Sequence, residues 1–378
     1  MSDSPIYVSG LGICAQGLAD LKARYAPKKT LLVTGRGSYA ASGAQAAVEA
    51  VFDPSETIRF FDFEVNPKMT DAQRGVEIAR EAGVDLILAV GGGSPMDMGK
   101  IIKAFYNDPS QAEALVRGQV QAEDPGIPLI AIPTTAGSGS EATHFAVAYI
   151  GKDKFSLASQ LLLPDAVVLD GKLLATNSPY QRAVNGLDAM AQAIESFWAA
   201  GSTEESRGYS REAIEKTAKH LPLIVAGGDD ETLQNMIVAS NLAGKAINIS
   251  KTTAAHAYAY AFTGFHDVPH GHAVWMTLPD IFQIHATVAP ENVSDKRGAE
   301  HLSAIMKETC EILGLQGPNY GDELKAFLHS LDLSSDMIEM GAKTPEQRIF
   351  VSQQVNMQRM GNNPVGLTED HIATIFKL

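Results

Sequence analysis

Val84-Asp85-Leu86-Ile87-Leu88-Ala89-Val90-Gly91-Gly92-Gly93-Ser94-Pro95-Met96-Asp97-Met98-Gly99-Lys100 joins an apolar run to three glycines and then to a helix-forming segment. Leu86 to Val90 carry no polar side chain, which is the signature of a strand covered on both faces, as in a parallel sheet. Glycines after such a strand let backbone N–H groups approach a diphosphate closely. A helix starting near Pro95 would aim its positive end at the same anion. The loop is neither Gly-x-Gly-x-x-Gly nor a Walker A sequence, so its reading as a phosphate cradle rests on this mechanism alone. Ser94, Asp97 and Lys100 add a hydroxyl, a carboxylate and a cation within two helical turns.

Working outward, the same logic recurs on both sides. Pro128-Leu129-Ile130-Ala131-Ile132-Pro133 reads as a short buried strand and runs into Thr134-Thr135-Ala136-Gly137-Ser138-Gly139-Ser140-Glu141-Ala142-Thr143. Thr134, Thr135 and Ser138 there offer donors to a phosphate or ribose. Thr30-Leu31-Leu32-Val33-Thr34 and Ile58-Arg59-Phe60-Phe61-Asp62 are further strand candidates, spaced by helical patterns such as residues 70–82. Strands alternating with helices predict a parallel sheet with crossover helices. From residue 178 no comparable β-run occurs, and residues 210–218, 232–246, 299–313 and 320–331 read as amphipathic helices. The expected organisation is a Rossmann-like α/β dinucleotide-binding domain over residues 1–177 and an all-α domain carrying metal and substrate over residues 178–378.

The second half holds its own constellation. Asp188 and Gln192 lie four residues apart in an Ala-rich run with good helix propensity, so both polar tips share one face. His256 sits in a similar run. His270, between Pro269 and Gly271, is expected in a turn. A carboxylate, an amide oxygen and two imidazoles suit Fe2+, Zn2+ or another borderline divalent ion with one position open to a substrate oxygen. Taken singly, the plainer readings are a residue near a helix N-cap, a core histidine and a turn histidine.

These residues resemble the iron-dependent (group III) alcohol dehydrogenases. The resemblance rests on Gly91-Gly92-Gly93-Ser94-Pro95-x-Asp97-x-x-Lys100, Pro133-Thr134-Thr135-Ala136-Gly137-Ser138-Gly139-Ser140-Glu141 and Leu163-Pro164-Asp165-Ala166-Val167-Val168-Leu169-Asp170. It continues through Gly186-Leu187-Asp188-Ala189 and Pro269-His270-Gly271, in family order over residues 5–279. It implies a dehydroquinate synthase-like fold. It also implies a metal held by an Asp, a His four residues later, and two further His fourteen residues apart. Asp188, His256 and His270 match, while Gln192 stands at the second ligand position with a neutral oxygen. Tyr260 stands where the family carries a histidine thought to relay protons.

A narrower resemblance is to the phosphonoacetaldehyde reductases, which convert phosphonoacetaldehyde to 2-hydroxyethylphosphonate. Asn248-Ile249-Ser250-Lys251-Thr252-Thr253-Ala254-Ala255-His256, Pro269-His270-Gly271-His272-Ala273-Val274, Ala191-Gln192-Ala193-Ile194-Glu195-Ser196-Phe197-Trp198 and Ser202-Thr203-Glu204-Glu205-Ser206-Arg207 carry it. A phosphonate needs cations and hydroxyl donors near the carbonyl, and Ser250, Lys251, Thr252 and Thr253 supply both one turn ahead of His256. Arg182, His272 and Lys154 are further candidates. The plainer readings are a solvated Lys251 and an Arg182 in a surface ion pair. Lys154 is also counted with His266 and Tyr260 among candidate catalytic groups, since water, His266 or Tyr260 could bring the proton. In many NAD-using members of the family an Asp follows the Thr that ends the first nucleotide-binding strand. Here Gly35 follows Thr34, and Arg36 and Ser38 could receive a 2′-phosphate, so NADPH is expected with NADH as the alternative.

The expected reaction is metal-assisted hydride transfer from NAD(P)H to a small, anionic aldehyde, giving a primary alcohol. The rivals are a group III alcohol dehydrogenase acting on non-phosphonate alcohols, a metal-free maleylacetate-reductase-like enzyme, a cyclase like dehydroquinate synthase, and a non-catalytic dinucleotide-binding protein. A net charge of −14 argues against nucleic acid or anionic membrane as partner. Two distant cysteines, Cys14 and Cys310, offer no disulfide framework, and no basic and apolar leader precedes Pro5, so a cytoplasmic location is expected. A homodimer or larger homo-oligomer is the expected assembly.

Overall fold

The structure is a computed structural model that describes residues 5–65, 67–151 and 153–378. It forms two compact units. The first takes the chain to Ser178 together with Asp229–Asn241, and the second takes Pro179–Gly228 and Leu242–Leu378.

In the first unit, six parallel strands run in the order β1-β8-β5-β4-β2-β3: β1 (Ile6–Ser9), β2 (Thr30–Thr34), β3 (Thr57–Phe60), β4 (Leu86–Gly91), β5 (Leu129–Pro133) and β8 (Ala166–Leu169). The central strands are buried on both faces, as their unbroken apolar runs predict. Alternate residues feed two separate cores. Leu31, Val33, Ile87, Ala89, Leu129 and Ala131 face one. Leu32, Leu86, Leu88, Val90, Ile130 and Ile132 face the other.

Helix α1 (Cys14–Tyr25) covers the second core, while α2 (Met69–Glu81) and α3 (Gly93–Phe105) cover the first. Helix α3 can lie close to β4 because Gly99 has no side chain; a Cβ there would stand 3.0 Å from the Ala89 methyl. The helix begins at Gly93, two residues before the expected start. Strands β1 and β8 were not expected from periodicity: each has four residues, too short to show a period. The hairpin of β6 (Phe145–Ile150) and β7 (Asp153–Ala158) was likewise not expected.

The second unit is helical. Its helices include α4 (Pro179–Trp198), α5 (Glu204–Val225), α6 (Asp230–Ser250), whose first half belongs to the other unit, α7 (Ala254–His266), α8 (His270–Trp275), α9 (Leu278–Thr287), α10 (Ala299–Leu313), α11 (Tyr320–Ser330) and the short α12 (Met357–Met360). Three of the four helices expected from periodicity fall within α5, α6 and α10, and the fourth, expected over residues 320–331, matches α11 to within one residue. Helix α4 is buried almost throughout from Ala183 to Trp198, and its Ala-rich surface carries a buried polar stripe at Asp188, Gln192 and Glu195. Spacings of four and three residues set these tips on one face. Helix α5 starts with a capping box between Thr203 and Ser206.

Candidate active site

The first unit carries a cleft where sheet topology predicts one. The chain steps from β2 outward to β3 and then returns through β4 to β5 on the other side, so the direction of winding reverses between β2 and β4. Open parallel sheets bind ligands beyond the carboxyl ends of the strands at such a reversal. There, a cleft of roughly 620 Å³ is lined by Gly35, Arg36 and Ser38 after β2 and by Gly92, Gly93 and Ser94 after β4, with Phe61, Phe63, Glu64, Val65 and Pro95 completing the wall.

The glycines are needed for close approach. Gly91 has φ +150, and a Cβ on it would lie 2.6 Å from Pro95 Cγ. Cβ atoms on Gly92 and Gly93 would lie 3.1 Å from Thr135 Oγ1 and 3.3 Å from Ser138 Oγ. Thr135 and Ser138 therefore back the loop. Gly92, the N-cap of α3, has no side chain with which to cap it, and the positive end of the helix lines the cleft. This cradle fits the diphosphate of a dinucleotide.

Other expected cofactor residues hold the loops in place. Asp97 accepts from Ser140 Oγ (2.7 Å) and from the Val147 amide (3.0 Å). Buried Lys100 donates to the Ser140 and Thr143 carbonyls (2.5 and 2.8 Å) and to that of Phe145 (2.7 Å). Burial lowers the Lys100 pKa to about 8, against the pull of Asp97 and Glu141. Thr134 is buried, with its amide on the Gly91 carbonyl (2.9 Å). Arg59 braces the β2 turn through Thr34 Oγ1 and the Gly35 carbonyl. Arg36 pairs with Asp62 at 2.5 Å, both more than two-thirds exposed.

The second unit contains the metal-type cluster. The side chains of Asp188, His256 and His270 offer ligand atoms that all lie within 4.8 Å of one another. His256 Nε2 stands 3.3 Å from Asp188 Oδ1, and the two imidazole rings are 5.4 Å apart. Burial would raise the Asp188 carboxyl, but His256, His270 and a hydrogen bond from Gln192 hold it below the usual carboxylate range. Gln192 is thus placed against the Asp188 carboxylate. One carboxylate and two imidazoles converging in a buried site fit a borderline divalent cation.

Two residues with no expected role build this cluster. Glu195, fully buried on α4, accepts from Thr253 Oγ1 (2.7 Å) and from the amides of Thr253 (3.2 Å) and Ala255 (2.9 Å), and it takes a close contact from His256 Nδ1. It therefore caps the start of α7 from another helix. It also engages Nδ1 so that Nε2 faces Asp188, the arrangement typical of a metal-bound histidine. Burial opposes the Glu195 charge, yet His256 and these donors outweigh it and lower its pKa. The spacing Asp188, Gln192, Glu195 was the available signal: a polar stripe on an otherwise apolar helix. Gly271 is the second such residue. A Cβ there would lie 1.9 Å from the Val184 carbonyl oxygen and 2.9 Å from the Asp188 amide, so only glycine lets α8 press on α4 and bring His270 to Asp188. His270 itself is the first residue of α8 rather than part of a turn, with Pro269 as N-cap.

The expected substrate and catalytic residues divide. Lys251 is exposed, follows the end of α6, and has φ +63; it is the left-handed residue that closes that helix rather than one at a helix start. Thr252 Oγ1 receives a close contact from Arg359 of α12. Ser250 and Thr253 turn inward: Ser250 Oγ pairs with Ser196 Oγ (2.6 Å), and Thr253 Oγ1 accepts from Trp198 (2.9 Å) while serving Glu195. Arg182 donates to the carbonyls of Ile224 (2.8 Å) and Gly227 (2.9 Å) near the end of α5, an intramolecular clasp. His272 is buried on the Ser334 carbonyl (2.7 Å), and burial lowers its pKa.

Tyr260, one turn after His256, stacks on His270 with ring centroids 6.4 Å apart. His266 lies ten residues from His256 along the same helix, about 15 Å by helical rise, and packs by Phe262 and Gly341. Lys154 lies on β7 in the first unit, where its charge acts on Asp97.

A dinucleotide cradle on a parallel sheet and a buried carboxylate–imidazole cluster on helices define a metal- and nicotinamide-type oxidoreductase. The chain belongs to the iron-containing alcohol dehydrogenase family: residues 5–171 match its iron-containing alcohol dehydrogenase model, and residues 182–378 match the Fe-containing alcohol dehydrogenase C-terminal model. A probable alcohol dehydrogenase, EutG, of Escherichia coli K12 is 34% identical over 71% of this chain and 73% of its own. The 1,3-propanediol dehydrogenase of Citrobacter freundii is 28% identical over 93% and 91%. Sulfoacetaldehyde reductase from Bifidobacterium kashiwanohense, solved in complex with NAD+, superposes with a TM-score of 0.87 at 26% identity, covering 99% of this chain and 96% of that one. Among the described residues, no helix is long and apolar enough to cross a membrane.

Proposed function

We propose that this enzyme reduces a short anionic aldehyde to the primary alcohol, with phosphonoacetaldehyde giving 2-hydroxyethylphosphonate as the best-supported reaction. The observation that carries the reading is the segment Lys251-Thr252 directly before the helix that delivers His256, where an exposed cation and a hydroxyl precede a metal-type ligand by one turn. The likeness to a sulfoacetaldehyde reductase supports it, because that relative's named substrate is also a two-carbon aldehyde bearing an oxyanion.

Asp188, His256 and His270 would hold a divalent ion, Fe2+ or Zn2+, with Gln192 orienting the Asp188 carboxylate. Such an ion supplies Lewis-acid polarisation of a carbonyl. A reduced nicotinamide cofactor would supply the hydride, and the Gly92, Gly93 and Ser94 loop at the start of α3 would hold its diphosphate. Glu195 engages His256 Nδ1 and fixes the ring, so no reorientation is needed when substrate arrives. Tyr260 Oη, rather than the remote His266, passes the proton that completes the alcohol. We assign NADPH as the preferred cofactor through Arg36 and Ser38. Asp62 must release Arg36 for the 2′-phosphate, which leaves NADH as a weaker second cofactor.

An NADPH-oxidation screen over phosphonoacetaldehyde, sulfoacetaldehyde and propanal, with metal analysis of the same preparation, tests the reading. A kcat/KM for phosphonoacetaldehyde at least tenfold above that for propanal is expected. Equal turnover of the two, or full activity in metal-free protein, would refute it.

A further inference from the structure

Arg359 has an unusual setting in a chain of net charge −14. Its guanidinium reaches the Thr252 hydroxyl and lies 5.5 Å over the Tyr260 ring, both neutral partners. Among the described residues no carboxylate lies within ion-pair distance of it, whereas Arg36, Arg117, Arg207, Arg211 and Arg297 each pair with one. A half-buried arginine without a counter-anion is the usual preparation for an anionic ligand, because the fork of N–H donors stays available for oxyanions.

Its position links it to the metal-type cluster. The same Tyr260 ring that carries Arg359 stacks on His270, at 6.4 Å, so the His270 ring and the guanidinium carbon can be no more than about 12 Å apart. A two-carbon aldehyde whose anion is two bonds from the carbonyl carbon is of the right size to reach from one to the other, with a charged hydrogen bond of about 2.8 Å at the anion end. Asn362 anchors the backbone beneath, donating to the carbonyls of Ser250 (2.8 Å) and Thr252 (3.0 Å), which keeps Thr252 and Lys251 in place.

We propose that Arg359, with the Thr252 hydroxyl, is the anion-reading element of the substrate pocket and takes the phosphonate or sulfonate oxygens of the aldehyde, while exposed Lys251 acts as an outer cation. This rests on the anionic-aldehyde reading above and assigns its specificity to one side chain. Neutral aldehydes make no use of the guanidinium.

The test compares wild type, Arg359→Met, Arg359→Lys and Lys251→Met on phosphonoacetaldehyde, sulfoacetaldehyde and propanal, reading kcat and KM separately. Arg359→Met is expected to raise KM for both anionic aldehydes about 10- to 100-fold, with the loss at least tenfold larger than on propanal. Arg359→Lys should recover only part, and added guanidinium should restore Arg359→Met selectively on the anions. Equal losses on all three aldehydes would make Arg359 a structural staple and overturn the proposal, as would an unchanged anion preference with the loss moved to Lys251→Met. A wild type indifferent to the anion would instead overturn the substrate reading itself. Thermal midpoints of the variants separate a folding defect from a binding one.

Discussion

At Gly91 to Ser94 the groups turned toward a ligand are backbone N–H donors at the start of a helix, whereas at Asp188, His256 and His270 they are side chains brought in by three helices. The first arrangement is contiguous in sequence and open to solvent on one side. The second joins residues as far apart as 188 and 270, 82 positions along the chain, and is mostly buried. A backbone cradle tolerates change in its outer side chains because its donors belong to no particular residue. A buried convergent cluster does not, since each ligand depends on packing and hydrogen bonds behind it.

The sharpest way to break this contrast is at the helix contact that delivers His270. Gly271→Ala puts a methyl where 1.9 Å separates it from a carbonyl oxygen, so α8 must move off α4. We expect a loss of about 3 kcal/mol or more in stability and loss of metal binding, read by denaturant unfolding and metal analysis. Gly37→Ala in the cleft turn, where nothing lies near the added Cβ, should cost under about 1 kcal/mol. Comparable losses would show that the two regions are equally brittle.

Acid should act on the helical unit through His285. Burial drives its pKa down from 6.5 to about 3, so the folded protein keeps it neutral while the unfolded chain takes up a proton. Stability should therefore fall as pH drops below about 6.5, by up to about 1.4 kcal/mol per unit until about pH 3. His285→Gln should flatten that slope in thermal melts across pH 4 to 7; an unchanged slope would assign it to other groups.

Glu195→Gln keeps size and shape but weakens the hold on His256. Metal affinity should fall about 10- to 100-fold in a chelator competition, with the fold retained. Unaltered affinity would reduce Glu195 to a helix cap. The smallest effect is expected in the cleft: Arg36→Ala should lower NADPH preference over NADH about tenfold with little change in stability, because the side chain is exposed. A preference that does not move would remove Arg36 from cofactor choice.

Legibility in the sequence followed the same divide. The strands β2, β4 and β5 were evident because burial on both faces writes an unbroken apolar run, and the Gly91 loop because a cradle needs consecutive glycines. Asp188, His256 and His270 were evident through spacing and family resemblance. Glu195 was not, because its partners lie on α7 and no local period reports a cap supplied by another helix. Arg359 sits in a four-residue helix near the chain's end, and only the fold brings it to Thr252 and Tyr260. Arg182 and His272 are candidates for the substrate's anion as cationic side chains near the site in sequence, while in the structure each also holds a backbone carbonyl.

Glu195 also divides the pocket into a stiff part and a compliant one. Because its Oε1 gathers the first amides of α7 while Oε2 meets the His256 ring, α7 can neither slide nor rotate about its axis without disengaging the imidazole. Adaptation to substrates of different length then falls to the exposed side chains of the pocket's outer rim, Lys251 among them, rather than to the metal-type ligands.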